Sequence, residues 1–346
     1  MRPFVFERAS DVGGAVYAAT QPPAPGEGRA AFLAGGTTLI DLMKLDVMRP
    51  ARVIDINALG GTSAGKIEAQ DGGVRLGALV RMADAAEHPA LRRDYPVVVQ
   101  ALERAASQQL RNMATLGGNV LQRTRCTYFR DVSYASCNKR MPGSGCAALD
   151  GVNRQHAVLG TSKNCIASYP GDFAQALIAL DATVNVASAA GNRVIAFESL
   201  HRRPGETANV ETALDPGDLI TAFEIPARPW TRRSLYLKIR DRLSYAFALI
   251  SVAAALELES GTIKEARLAL GGVAHKPWRD TAAEAALRGQ AANQASFTSA
   301  ADLLLRDVKG YEHNTFKIDL ARRGIVRTLT QAALGTPQSQ SDKKIR

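Results

Sequence analysis

Phe32-Leu-Ala-Gly-Gly-Thr-Thr-Leu-Ile40 runs from a short apolar strand through a glycine pair into a helical pattern. The strand reads as Ala31 to Leu33 and the helix as Leu39 to Leu45. Glycines accept φ > 0 and let another backbone or a ligand come close. A helix start presents unpaired N–H groups and a positive dipole end to an anion such as a pyrophosphate. The segment is neither the six-residue dinucleotide fingerprint nor a phosphate loop with its Lys-Ser/Thr pair, so taken alone it also fits a tight strand-to-helix turn. Its flanks extend the pattern. Phe4-Val-Phe6 and Arg52-Val-Ile-Asp-Ile56 read as strands, Asp11 to Ala19 as a short helix, and Gln21 to Gly28 as a Pro/Gly loop. Residues 1–57 thus form a β-α-β unit with parallel pairing.

Further along, Val74 to Leu79 is strand-like, and Met82 to Glu87 and Pro96 to Leu110 are helical. A second glycine pair follows in Thr115-Leu-Gly-Gly-Asn119. Hydroxyl, amide and bare backbone together suit a phosphate or ribose, although an ordinary loop reads the same way. Asp172 is placed to N-cap a helix from Phe173 to Leu180. Ala182 to Ala187, Arg193 to Phe197 and Asp218 to Ile225 alternate as strands, and residues 226–233 form a linker. Beyond it come three strands, Ser234 to Arg240, Ala246 to Leu258 and Ala266 to Gly271. Three helices then cover Thr281 to Arg288, Ser299 to Val308 and Thr315 to Leu334, and the polar tail 336–346 reads as disordered. The domains expected are 1–57, 58–226 with a cysteine-rich insertion at about 121–166, and 234–335.

The four cysteines, Cys126, Cys137, Cys146 and Cys165, are confined to one stretch with spacings Cys-x10-Cys, Cys-x8-Cys and Cys-x18-Cys. Four thiolates suffice for one zinc or one iron–sulfur cluster. The wide spacing matches neither a zinc ribbon nor a ferredoxin run, so loops must gather the ligands. Cluster, zinc, disulfides and free thiols all stay open on the residues alone. His156, inside the same stretch, reads as a packing or hydrogen-bonding residue. Lys238, Arg240, Asp241 and Arg242 read as a solvated strand end.

With 46 % hydrophobic and 22 % charged residues the composition is that of a globular protein, and no apolar run reaches the length of a membrane span. The N-terminus carries no secretory signal pattern. The net charge of +10 is dispersed, and with 6 % aromatics it argues against a nucleic-acid surface. It suits docking to an acidic partner.

Taken together, residues 32–40, Leu110 to Asn119, Gly171-Asp-Phe173 and Lys238-Ile-Arg-Asp-Arg-Leu-Ser-Tyr-Ala-Phe247 resemble the FAD-binding subunit of the molybdenum hydroxylases, the xanthine dehydrogenase and aldehyde oxidoreductase family. The resemblance covers the chain to about residue 335. Most members lack a cysteine cluster in this subunit. The segment here is similar to that of the periplasmic aldehyde oxidase branch, which holds a 4Fe–4S cluster besides FAD. The resemblance implies an α+β chain: a vanillyl-alcohol-oxidase-type FAD fold of two α/β subdomains, then a three-stranded antiparallel sheet with a helical bundle. It implies FAD on Phe32, Leu33, Ala34, Gly35, Gly36, Thr37, Thr38, Leu39 and Ile40, with Thr115, Gly118 and Asn119. Asp172 would reach a ribose hydroxyl or polar flavin atom, Ile220 would pack on the cofactor, and Lys238 would sit near the ring, where a cation favours the anionic reduced form. The four cysteines would ligate the 4Fe–4S cluster. The partners implied are a large molybdopterin subunit that oxidises aldehydes and a small subunit with 2Fe–2S clusters, in a heterotrimer that feeds an external acceptor. Export would then rest on a partner's signal; without it the complex is cytoplasmic. The competing readings are a zinc-stabilised module without flavin, and the flavin subunit of a xanthine- or aromatic acyl-CoA-specific hydroxylase.

Overall fold

The computed structural model describes residues 1–335, so the expected disordered tail lies outside the described residues. Among the described residues twelve strands are arranged in three sheets. The first comprises β1 (Val5–Arg8), β2 (Ala31–Leu33) and β3 (Arg52–Asp55) in the order β1-β3-β2. Both pairings are parallel, with Val5 opposite Arg52 and Phe32 opposite Ile54. This is the expected β-α-β unit. The helices Val12–Thr20 and Leu39–Lys44 serve the two crossovers, and Asp11 caps the first by accepting from the Gly14 amide at 2.8 Å.

The second sheet is antiparallel: β4 (Ile67–Gln70), β5 (Gly73–Gly77), β6 (Thr183–Ala187), β7 (Arg193–Ala196) and β8 (Leu219–Pro226), in the order β4-β5-β8-β6-β7. Its apolar face packs on the helices Pro96–Arg104 and Phe173–Ala179, whose Val97, Leu102, Phe173 and Leu177 share one core with Leu76, Val184 and Phe223. The single helix expected over Pro96 to Leu110 is in fact two, Pro96–Arg104 and Gln108–Met113. Ala106 turns left-handed at φ 50°, and Ser107 restarts the chain by capping through its hydroxyl, which accepts from the Leu110 amide. Helix propensity of the Ala-Ala pair conceals that break.

The third sheet holds β9 (Ser234–Ile239), β10 (Ile250–Glu259), β11 (Thr262–Gly271) and β12 (Trp278–Arg279), in the antiparallel order β12-β11-β10-β9. The three expected long strands are present, and a two-residue fourth adds an edge. β10 begins at Ile250, not Ala246, so residues 240–249 are free to form a loop. The helices Thr281–Leu287, Gln294–Leu304 and Phe316–Leu334 cover this sheet. In the last, the apolar residues at helical spacing, Ile318, Ala321, Ile325, Leu329 and Ala332, face the core; all are buried except the half-buried Ile318. Among the described residues no helix is long and apolar enough to cross a membrane.

Candidate functional site

The two glycine segments meet. The turn at Gly35-Gly36 lies directly against the backbone of Met113 and Ala114, so close that a β-carbon on Gly35 would stand 2.0 Å from the Met113 carbonyl oxygen. Gly35 is therefore required by packing between two chain segments, not only by the approach of a ligand. Gly36 has φ 72°, and its virtual β-carbon meets only side-chain ends, those of Ile40 and Leu33. Two residues that sequence reading passed over hold the junction. Asn57 Nδ2 donates to the Ala34 carbonyl at 3.0 Å, and Arg81 donates to the Met113 carbonyl at 2.5 Å and to Asn57 Oδ1 at 3.0 Å. Neither carries a local motif; only the fold brings them to the junction.

The junction leaves donors and acceptors open. Among the described residues the amides of Gly35, Gly36, Thr37 and Thr38 have no backbone partner. Phe32, Leu33, Ala34 and both threonines are half-buried, Leu39 is buried and Ile40 is exposed. Thr115 is buried, and its hydroxyl accepts from the Gly118 amide at 3.2 Å, which starts the short helix Leu116–Val120. Asn119, in that helix, keeps a buried Oδ1 without a partner. Open amides suit an anionic group and the orphaned side-chain oxygen suits a hydroxyl donor, so the residues fit a pyrophosphate and a sugar.

Asp172 and Lys238 come together as a buried ion pair. Asp172 occupies the N-cap position of its helix but makes no capping bond. Its carboxylate instead accepts from Lys238 Nζ at 2.7 Å and Tyr236 Oη at 2.6 Å. Lys238 Nζ also donates to the Arg104 carbonyl at 3.0 Å. The lysine is buried, which corrects the expectation of a solvated strand end. The pair clamps β9 onto the helices of the second subdomain. Ile220 is likewise buried, in the main core. Breaking this ion pair from one side strands a buried charge: Lys238→Met is expected to destabilise the chain by about 3–5 kcal/mol. Adding Asp172→Asn should restore part of that loss in thermal unfolding, and an unchanged midpoint in the single variant would refute the clamp.

All four cysteines line one small cavity of about 10 Å³, together with Tyr128, Phe129 and Lys139. They are free thiols, not disulfides. Among the described residues no three His, Cys, Asp or Glu side chains could hold a single metal ion. Burial pushes the Cys126 thiol up to about 11, whereas a hydrogen bond from Cys165 draws Cys146 down to about 6. Lys139 is buried beside this cavity; its Nζ donates to His275 Nε2 at 2.8 Å and the Ala208 carbonyl at 3.1 Å, with Glu211 at 3.4 Å. A second, larger cavity of about 280 Å³ shares Cys126 as a wall and is lined by Arg125, His156, Tyr169, Phe247 and Gly272 among others. Tyr169 ties it to the glycine junction through a hydrogen bond from its hydroxyl to the Val120 carbonyl at 2.9 Å. Arg125 ties it to the first loop's helix through Asp41 at 3.1 Å and stacks over Phe247. Asp172, Ile220 and Lys238 are not among its lining residues.

Residues 2–228 match the FAD binding domain in molybdopterin dehydrogenase, and residues 235–332 match the CO dehydrogenase flavoprotein C-terminal domain. The chain belongs to the FAD-binding subunits of the molybdenum hydroxylase family. It is 48 % identical to the aldehyde oxidoreductase FAD-binding subunit PaoB of Escherichia coli K12, over 96 % of this chain and 99 % of that one. It is 28 % identical to the glyceraldehyde dehydrogenase medium chain of Sulfolobus acidocaldarius, over 75 % of this chain and 74 % of that one. Carbon monoxide dehydrogenase from Hydrogenophaga pseudoflava superposes with a TM-score of 0.74 at 23 % identity, covering 97 % of this chain and 98 % of that one, and so shares the fold. As a member of that family the chain binds FAD and is an oxidoreductase subunit. The α+β fold implied by the resemblance stands.

Two buried histidines, His201 and His275, predict an acid sensitivity. Burial holds His201 down at about 4 and His275 at about 3, each neutral when folded. His201 pairs with the Val120 carbonyl, and His275 accepts from Lys139 while its other ring nitrogen faces the Ala167 carbonyl. The unfolded chain binds protons at these positions below about pH 6.5, and the folded chain does so only near pH 4 and below. Stability is therefore complete above about pH 6.5 and falls between there and pH 4, by up to about 1.4 kcal/mol per pH unit per histidine. Melting temperatures across that range should show the fall, and His201→Gln should make it shallower; an unaltered slope would count against this assignment.

Proposed function

We propose that this chain is the FAD- and 4Fe–4S-carrying electron-transfer subunit of a heterotrimeric molybdenum hydroxylase that oxidises aldehydes to carboxylic acids. The observation that carries the reading is the ring of four free cysteines around one cavity, next to a larger cavity joined to the glycine junction. Four thiolates on one cavity complete the ligand set that a cubane cluster needs. The aldehyde assignment is supported by the similarity to the E. coli aldehyde oxidoreductase subunit along nearly the whole chain.

On this reading the backbone of Ala34 to Leu39, with the open amides of Gly35 to Thr38, holds the FAD pyrophosphate, and the hydroxyls of Thr37 and Thr38 lie beside them. Phe32, Leu33 and Ile40 flank the nucleotide. Gly118 gives the backbone room, Thr115 shapes that turn through its cap, and Asn119 Oδ1 accepts from a cofactor hydroxyl. Asp172, Lys238 and Ile220 support the site from behind by fixing β9 and the core, and Cys126, Cys137, Cys146 and Cys165 ligate the cluster. FAD, when bound, takes electrons delivered by the 2Fe–2S clusters of a small partner subunit and yields them to an external acceptor. A large partner subunit carries the molybdopterin chemistry. Export follows a partner's signal and places the complex in the periplasm.

Metal and flavin analysis of the intact, anaerobically purified complex tests this. About four iron atoms per chain beyond those of the 2Fe–2S clusters, with one FAD, are expected. Zinc in their place, or metal-free thiols with FAD present, would overturn the cluster assignment.

A further inference from the structure

One side-chain donor addresses the cysteine sulfurs. His156 Nε2 lies 3.1 Å from Cys126 Sγ. His156 is buried, and its Nδ1 is a buried atom without a partner. A ligating sulfur is a thiolate and only accepts, so the ring proton belongs on Nε2 and the bare lone pair on Nδ1. The ring's backbone is fixed from several sides. Lys317 Nζ donates to the His156 carbonyl at 2.9 Å and to the Gly272 carbonyl at 2.5 Å. Asn314 Nδ2 reaches the same His156 carbonyl at 3.4 Å, and the His156 amide donates to the Asn153 carbonyl at 2.9 Å. Lys317, Asn314 and Asn153 are themselves fully buried. The start of the long C-terminal helix thus pins a histidine against one sulfur of the cysteine ring. Cys126 is also the cysteine shared by both cavities, and His156 lines the larger one.

We propose that His156 is a positioning residue of the iron–sulfur site, whose Nε2–H donates to Cys126 Sγ and holds the site at a more positive reduction potential than its thiolates alone would give. This rests on the cluster reading above. Reduction adds one negative charge to the cluster, and an N–H aimed at a ligating sulfur stabilises the more negative form more. The backbone offers Cys165 a longer contact of the same kind, from the Ala167 amide at 3.5 Å. The histidine is the donor that substitution can remove.

The test uses the intact complex, purified without oxygen, and an EPR-monitored redox titration of the cluster signal. His156→Leu should keep FAD and move the midpoint to more negative values; His156→Gln, which retains an N–H donor, should bring it back towards the wild type. A midpoint unmoved in the leucine variant, or displaced equally in both, overturns the proposal. Should the leucine variant fail to assemble, wild-type protein labelled with 15N-histidine decides. The reduced cluster must then show a weak 15N coupling and an exchangeable proton, and their absence is equally fatal. A wild-type complex without iron beyond its 2Fe–2S clusters would instead refute the cluster reading, a separate and recognisable outcome.

Discussion

Gly35→Ala is expected to cost the protein its flavin. The added β-carbon would sit 2.0 Å from the Met113 carbonyl oxygen and 2.8 Å from its carbon, which are backbone atoms that cannot swing aside. The first glycine turn and the segment leading to Thr115 must then separate. That separation breaks the Asn57–Ala34 and Arg81–Met113 bonds that hold them in register. The open amides after Gly35 and the orphaned Asn119 Oδ1 would cease to face a common ligand. A loss of at least about tenfold in FAD affinity follows, equivalent to about 1.4 kcal/mol. Gly36→Ala is the discriminating control. Its left-handed backbone costs an alanine about 1–2 kcal/mol, but the contacts it makes are with the movable tips of Ile40 and Leu33, so flavin retention should fall less. Flavin content after purification, followed by titration with FAD, reads both effects. Full FAD occupancy in Gly35→Ala, or a greater loss in Gly36→Ala, would contradict the junction's role.

The first sheet, the first glycine turn and the last helix were legible because each rests on local pattern: apolar runs, a glycine pair, a stripe at helical spacing. The break at Ala106 was not, since an alanine in a left-handed turn leaves no mark in the sequence. The cysteines announced a site but not its form; only the fold shows that they ring a cavity. Asp172 and Lys238 were both singled out, yet a carboxylate before a helix and a lysine on a strand read as cap and edge until the chain is folded. Their partnership spans 66 residues and is set by how β9 packs, a long-range fact without a local trace. The same holds for Asn57, Arg81 and Lys317, whose partners are main-chain carbonyls brought near by topology. What sequence alone misreads here is consistently the buried polar group, whose partner is chosen by tertiary contact.

Cys137→Ser should strip iron from the chain while leaving FAD in place. Cys137 is buried, and it faces Cys146 across an antiparallel bridge, packed on Leu42 and Phe129. Serine fits that space nearly as well, so the fold of the insertion has little steric reason to change. Its hydroxyl, however, ionises far less readily than a thiol and is a poor ligand for iron. With three thiolates left, the cluster's four irons lack a complete set of ligands, and the absorption and EPR signals of the 4Fe–4S site should disappear from the intact complex. The flavin should survive, because the loops at residues 34–39 and 115–119 take no hydrogen bond from any of the cysteines. The two readouts therefore separate. Loss of both cofactors would mean that the insertion supports the flavin site directly, through Arg125–Asp41 or Tyr169–Val120. Unchanged iron with unchanged spectra would mean that the four thiols are not the ligands, and the reading of this chain as a two-cofactor subunit would fall to one of a flavin subunit alone.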